Sequence, residues 1–87
     1  MNRYQEQFDS VMLEINEAID MGRSLTYVNE GGNLYPEVAE MLADLGYDVK
    51  MYKSMHEAFS QNIVSWVNFE INRRGTIELF DELLMIK

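Results

Sequence analysis

The sequence predicts an α+β fold of two layers, with helices packed on a small three-stranded mixed sheet in the order α-β-α-β-β-α. Two kinds of pattern predict it: segments whose apolar residues recur at three- and four-residue steps, and short segments in which apolar and polar residues alternate. The 87 residues are expected to form a single domain, 1–87, because chains divide into separate domains only at greater length.

The first helix is expected over residues 3–21. Its apolar residues recur at helical steps and would face the core: Tyr4, Phe8, Val11, Met12, Ile15, Ala18 and Ile19. Five carboxylates occupy the opposite arc: Glu6, Asp9, Glu14, Glu17 and Asp20. Gly22 follows at the position where a glycine in the left-handed conformation ends many helices.

The next three elements follow from local patterns as well. Residues 23–28 are rich in β-branched and aromatic side chains and predict a strand, which a turn over 29–33 would end. A second helix is expected from Pro36, a residue favoured at the first helical position, to Gly46. Residues 47–53 alternate and predict a half-buried strand. This strand–helix–strand order implies parallel strands joined by a right-handed crossover.

Residues 54–74 fit two interpretations. Ile, Val, Trp and Phe in 62–69 favour a strand antiparallel to 47–53. Against it, a serine and a glutamate at capping-box spacing and a polar stripe at helical steps favour one helix over 54–74, which would make the protein mostly helical. The strand is preferred. The tail over 76–86 has apolar residues at helical spacing and predicts a final helix.

The charge of the chain is unevenly distributed. The first 48 residues account for the whole formal net charge of −8, because they contain ten carboxylates and only two arginines. Such a field repels phosphate backbones and attracts basic protein surfaces, so direct nucleic-acid binding is not expected. No apolar segment approaches the length of a membrane span, the N-terminus has no secretion signal, and cysteine is absent. We therefore expect a cytoplasmic protein without membrane contact.

No catalytic or metal-binding constellation is expected. His56 is the only histidine, and no hydrolase signature surrounds it, so a surface role is preferred. The loop at Gly31 and Gly32 has neither the spacing nor the lysine of a phosphate-binding loop. The carboxylates do not follow a calcium-loop pattern. We expect no enzyme activity, no cofactor and no dedicated metal site.

Three features together suggest a family: a first helix ended by Gly22, the segment LGYDV at residues 45–49, and the segment IVSW at residues 63–66. With them the chain resembles small αβαββ proteins encoded by tailed phages and prophages. The resemblance covers roughly residues 5–67, and the tail after Asn68 has no counterpart. It implies the αβαββ layout and a phage origin, and it assigns no catalytic residue. With a phage origin, the cytoplasm expected above would be that of the host cell.

Two classes of function are expected. The first is a small acidic binding protein that modulates or inhibits a host protein through protein–protein contact, with nucleic-acid mimicry at a basic groove as its sharpest form. The alternative is a structural or assembly subunit that acts as a homo-oligomer, a homodimer in the simplest case. The candidate partner-binding residues are six carboxylates of the two helices and the tryptophan: Glu14, Glu17, Asp20, Glu37, Glu40, Asp44 and Trp66.

The uncovered side of the sheet is a second place to expect contacts, because a two-layer domain covers only one sheet face well. Tyr52, Trp66 and Phe80 are the large aromatic residues that could lie there. On that face Trp66 would anchor an interface, whereas packing in the core is the commoner fate of a tryptophan.

Overall fold

The computed structural model describes residues 2–30, 32–53 and 60–81, and these form two helices and a four-stranded mixed sheet. The elements in chain order are α1 (Arg3–Asp20), β1 (Leu25–Val28), α2 (Pro36–Asp44), β2 (Asp48–Lys53), β3 (Ser60–Ser65) and β4 (Ile77–Asp81). The α+β class predicted from the sequence is confirmed.

The strands lie in the order β1-β3-β2-β4. The central β3 is antiparallel to both β1 and β2, and β4 pairs in parallel with β2 at one edge. Strands β1 and β2 therefore run in the same direction, as the connection through α2 implied, but β3 lies between them. In this sheet β1 and β4 are the two edge strands.

Both helices begin and end for reasons visible in the sequence. The Asn2 side chain accepts a hydrogen bond of 2.8 Å from the Tyr4 amide and caps α1, while Pro36 starts α2. Gly22 and Gly46 follow the two helices with φ of 77° and 106°, a conformation that an L side chain adopts only at a cost. The boundaries expected from these glycines are confirmed.

The core lies between the helices and one face of the sheet. Seven side chains larger than alanine, from both layers, are completely buried there: Val11, Ile15, Val28, Val38, Leu42, Val49 and Val64. Each stabilises the fold by about 1.5–3 kcal/mol through removal of apolar surface from water. Because residues alternate along a strand, the neighbours of Val28, Val49 and Val64 point away from the helices.

The predicted final helix is wrong: within the tail, Ile77–Asp81 forms β4, so the sheet has four strands and not three. Ile77 packs against the core beside Val49, whereas Phe80 points to the other side of the sheet and stacks on Tyr52. A helix would place Ile77 and Phe80 on one face, whereas the strand that pairs with β2 places them on opposite sides of the sheet. The rest of the predicted helix, 82–86, lies outside the described residues.

The helical alternative for residues 54–74 is also wrong. Residues 60–65 form β3, and its antiparallel pairing with β2 confirms the preferred strand, shifted toward the N-terminus from the predicted 62–69. Buried Asn62 and Val64 face the core and exposed Gln61 does not, so the pattern has the period of a strand. Residues 54–59, which include His56 and the serine and glutamate of the proposed cap, lie outside the described residues.

The connection from β3 to β4 crosses the beginning of β2 and is held there by Asp48. One carboxylate oxygen, Oδ1, accepts hydrogen bonds from the Thr76 amide (2.8 Å), the Thr76 hydroxyl (3.0 Å) and the Asn72 side-chain amide (3.4 Å). Asn72 also donates to the carbonyl of Gly46 at 3.2 Å. These contacts fix where β4 begins relative to β2.

We expect Asp48→Ala to lower the free energy of unfolding by about 2 kcal/mol, because three donors lose a charged acceptor. Asp48→Asn keeps an acceptor oxygen in place and is expected to cost about half as much. Urea unfolding measures the difference in the free energy of unfolding between the two variants, provided that both show the same dependence on urea concentration. Equal losses for alanine and asparagine would show that the carboxylate does not anchor the connection.

Candidate protein-binding surfaces

The outward side of α1 carries carboxylates around one exposed leucine. Residues three or four apart share a helix face, and five exposed residues lie on this arc: Glu6, Asp9, Leu13, Glu17 and Asp20. We call them the α1 outer face. Among the residues that the structure describes, no cation forms an ion pair with these four carboxylates. Leu13 is 64% exposed in the middle of them.

Leu13 was missed by the sequence analysis, although its position gave a signal. It lies four residues after Asp9 and four before Glu17, inside the polar arc of an otherwise amphipathic helix. A single exposed leucine is ordinary on a protein surface. Its position at the centre of a negative stripe is what makes it a candidate contact.

Glu14, a predicted partner-binding residue, is turned toward the protein. Its side chain is half-buried, and its Oε2 accepts a hydrogen bond of 3.1 Å from the amide of Asn29. Asn29 has a positive φ of 49° at the end of β1, so this bond supports a strained turn. Of the predicted carboxylates of α1, Glu17 and Asp20 are the two that remain exposed on the outer face.

The carboxylates predicted on α2 are shared with a cation from far along the chain. Arg74 Nε donates to Asp44 Oδ1 at 3.1 Å, and Arg74 Nη2 forms an ion pair with Glu40. The hydrogen bond to Asp44 and the charge of Glu40 raise the pKa of Arg74. Arg74 therefore offsets part of the negative field of α2, while Glu37, one turn earlier, is exposed.

Trp66 lies at the margin of the core. Its indole Nε1 donates to the carbonyl oxygen of Arg23 at 3.0 Å, and its ring meets Tyr47 edge to face at 6.3 Å. Burial raises the pKa of the Tyr47 hydroxyl. These contacts tie Trp66 to the interior, and a partner contact through it stays a prediction.

Within the residues that the structure describes, no helix covers the other side of the sheet. Its side chains come from all four strands: Leu25, Tyr27, Asp48, Lys50, Tyr52, Ile63, Ser65, Glu78 and Phe80. We call them the open sheet face. The rings of Tyr52 and Phe80 stack at 4.6 Å, so two of the three aromatic residues expected there are present. With Asn68 and Asn72 at one end, the face forms a groove of about 560 Å³.

Neither surface has the composition of a metal site. Within residues 2–30, 32–53 and 60–81, no group of three or more histidine, cysteine, aspartate or glutamate side chains is placed to hold a metal ion. Neither α1 nor α2 combines the length and the apolar character that a membrane-crossing helix needs.

Comparison of the chain with protein-family models, with curated proteins and with solved structures finds no match. The two surfaces are therefore interpreted from their own geometry and charge.

Proposed function

We propose that this protein is a small binding protein that recognises a basic surface of another protein through the α1 outer face. The supporting observation is the run of exposed carboxylates along α1, which has no cation paired to it among the described residues. Leu13 adds an apolar contact at the centre of the stripe. The resemblance to phage-encoded proteins implies a phage origin, and on that basis the proposed partner is a host protein that binding modulates or inhibits.

The charge distribution favours α1 over α2 as the binding element. The four carboxylates of the α1 outer face lie within five helical turns, and like charges at such spacing reinforce the local potential. On α2, Arg74 partly cancels the field of Glu40 and Asp44. A basic partner is therefore attracted more strongly to α1 than to α2. The interaction should weaken as the salt concentration rises, since the Debye length is only about 8 Å at physiological ionic strength.

The shape of α1 limits how far it can imitate a nucleic acid. One helical stripe presents a single row of carboxylates, whereas duplex DNA presents two rows of phosphates. Mimicry of the second row would need Glu37 and the bridged carboxylates of α2. We therefore place recognition of a basic groove or helix, with Leu13 entering an apolar pocket, ahead of full duplex mimicry.

We expect the double variant Glu17→Gln/Asp20→Asn to lower affinity for the partner about three- to tenfold at low salt, because two exposed attractive charges are removed. The measurement starts from capture on the immobilised protein from bacterial lysate at low and high salt. The captured protein is then purified, and its dissociation constants for both variants and the wild type are measured by titration.

The matched control removes two exposed charges elsewhere, in Glu30→Gln/Glu70→Gln. It should keep near wild-type affinity, since neither residue belongs to the α1 outer face. Equal losses for test and control would show that only net charge matters. A partner that binds with unchanged affinity at high salt and to the test variant would refute a role for these carboxylates.

A further inference from the structure

Strand β1 lies at an edge of the sheet and pairs on one side only within the described part of the chain. The amide of Trp66 donates to the carbonyl of Ser24 at 3.0 Å, so the hydrogen-bonded positions toward β3 are Ser24 and every second residue after it. The backbone N–H and C=O groups of Leu25 and Tyr27 therefore point away from β3. The Tyr27 carbonyl accepts a 3.4 Å hydrogen bond from the Thr26 hydroxyl and can accept a second. Such an edge can pair with another extended segment.

A groove runs beside this edge, on the side of the sheet that the helices cover. It encloses about 230 Å³, and six residues of α1, β1 and their connection line it: Glu14, Glu17, Ala18, Met21, Arg23 and Thr26. Arg23 forms no ion pair within the described residues, and two carboxylates against this one guanidinium leave the groove negative. Glu14 Oε2 accepts a hydrogen bond from the Asn29 amide, so this carboxylate lies toward the end of β1 that is farther from Arg23. A cation is therefore attracted to that part of the groove.

The opposite side of the edge is apolar. Leu25 and Tyr27 are each 44% exposed and belong to the open sheet face. Side chains directly opposite one another on neighbouring strands share a face of the sheet. In a segment that binds antiparallel to β1, the residues opposite Leu25 and Tyr27 would therefore contact these apolar side chains. The residue between them would lie opposite Thr26 and point to the groove, beside Glu14 and Glu17.

We propose that β1 binds an extended segment of another protein as an additional strand, with a lysine or arginine opposite Thr26 and an apolar residue on each side of it. Leu25 and Tyr27 exchange backbone hydrogen bonds with the segment, and the groove selects the central basic residue. This contact goes beyond the proposed function. It shares Glu17 with the α1 outer face, but it does not require a partner along the rest of that helix.

A second copy of this chain fits the edge less well. In a two-fold antiparallel pair of β1 strands that uses these backbone groups, Leu25 lies opposite Tyr27, or one of the two lies opposite itself. The residue opposite Thr26 is then Thr26, Ser24 or Val28, and none of them brings a charge to the groove. Each copy also has a net charge of −8, which opposes association. Charge complementarity therefore favours a basic segment of a different protein.

The probe is a short blocked peptide whose centre is a lysine between two valines, flanked by serines. It is titrated into isotope-labelled intact protein and followed by NMR, and we expect a dissociation constant of about 0.3–3 mM. The amide signals of Leu25 and Tyr27 should shift, and their hydrogen exchange should slow, because both amides gain an acceptor. Glutamate in place of the peptide lysine should weaken binding at least about tenfold, since it places a like charge in the groove.

Peptide methylation tests the backbone pairing directly. Methylation of both valine nitrogens removes the donors that point to β1 and should weaken binding at least about tenfold. The matched control is methylation of the lysine nitrogen, which points away from β1 and should change the affinity by at most about twofold.

On the protein side, Glu17→Gln should weaken binding of the lysine peptide about two- to threefold, because it neutralises a carboxylate of the groove. The matched control, Asp20→Asn, neutralises an exposed carboxylate of the α1 outer face that does not line the groove, and it should bind the peptide like the wild type. A partner of the α1 outer face should instead respond to both substitutions, so the two proposals can fail separately.

Four results would overturn the proposal. They are equal binding of the two methylated peptides, equal effects of Glu17→Gln and Asp20→Asn, shifts confined to α1, and no binding up to about 10 mM peptide. It would also be overturned if the Leu25 and Tyr27 signals changed with protein concentration in the absence of peptide, since a second copy would then occupy the edge.

Discussion

We expect Gly75→Ala to lower the free energy of unfolding by about 3 kcal/mol or more, the largest loss expected for alanine at any of the described glycines. A Cβ at this position would lie 1.6 Å from the carbonyl oxygen of Tyr47 and 2.3 Å from its carbonyl carbon. Both are backbone atoms of the residue just before β2, so rotation of a side chain cannot relieve the clash. The Gly75 amide also donates a hydrogen bond of 2.7 Å to the carbonyl of Ala43, and this bond holds the connection from β3 to β4 against the end of α2.

Gly22→Ala is the control for this effect. A Cβ at Gly22 meets nothing within 4 Å, and only its φ of 77° opposes alanine, so a loss of about 1–2 kcal/mol is expected. Urea unfolding at equal slope measures both variants, and thermal unfolding should place Gly75→Ala at least about 10 °C below the wild type. A Gly75→Ala variant that is as stable as Gly22→Ala would mean that the connection before β4 does not approach the Tyr47 backbone as closely as described.

The contact between Gly75 and Tyr47 joins residues that are distant in the sequence. Elements that depend on such distant contacts could not be predicted from the sequence, whereas elements that depend on neighbouring residues could. The helices and their ends depend on neighbours within a few residues, as at Gly22 and Gly46, and these predictions are confirmed. Strand β4 depends on contact with β2, about 28 residues earlier in the chain. Ile77 and Phe80 are three apart and fit a helix equally well, so local spacing could not decide between the two structures.

The same division applies to the candidate surfaces. Exposure of Glu17, Asp20 and Glu37 follows from helical periodicity and was predictable. The pairing of Arg74 with Glu40 and Asp44 was not, because it requires the connection to β4 to pass beside α2. Charges counted along the sequence therefore overstated the negative field of α2. The open sheet face could be anticipated as an uncovered side, but its row of Lys50 and Glu78 needed the strand register.

Asn62→Leu should lower the free energy of unfolding by about 2–4 kcal/mol, because it removes a buried donor while keeping the branched shape of the side chain. Asn62 is 1% exposed on the core side of β3. Its Nδ2 lies 3.2 Å from the carbonyl oxygen of Val28, 3.4 Å from that of Asn29 and 3.0 Å from that of Gly32, so its two hydrogens are shared among these three acceptors. Leucine would leave these carbonyls without that donor in a poorly hydrated place.

The effect should extend to the connection between β1 and α2, since the Asn62 amide contacts two of its carbonyl oxygens, those of Asn29 and Gly32, besides that of Val28 at the end of β1. In Asn62→Leu, amide hydrogen exchange should quicken more in residues 29, 30 and 32–35 than in the interior of α1, to which the Asn62 amide donates no hydrogen bond. The matched control is Gln61→Ala, next to it on the exposed side of β3, with an expected change within about 0.5 kcal/mol. If Asn62→Leu unfolds at the wild-type urea concentration, the apolar core alone fixes this connection and the buried amide contributes nothing measurable.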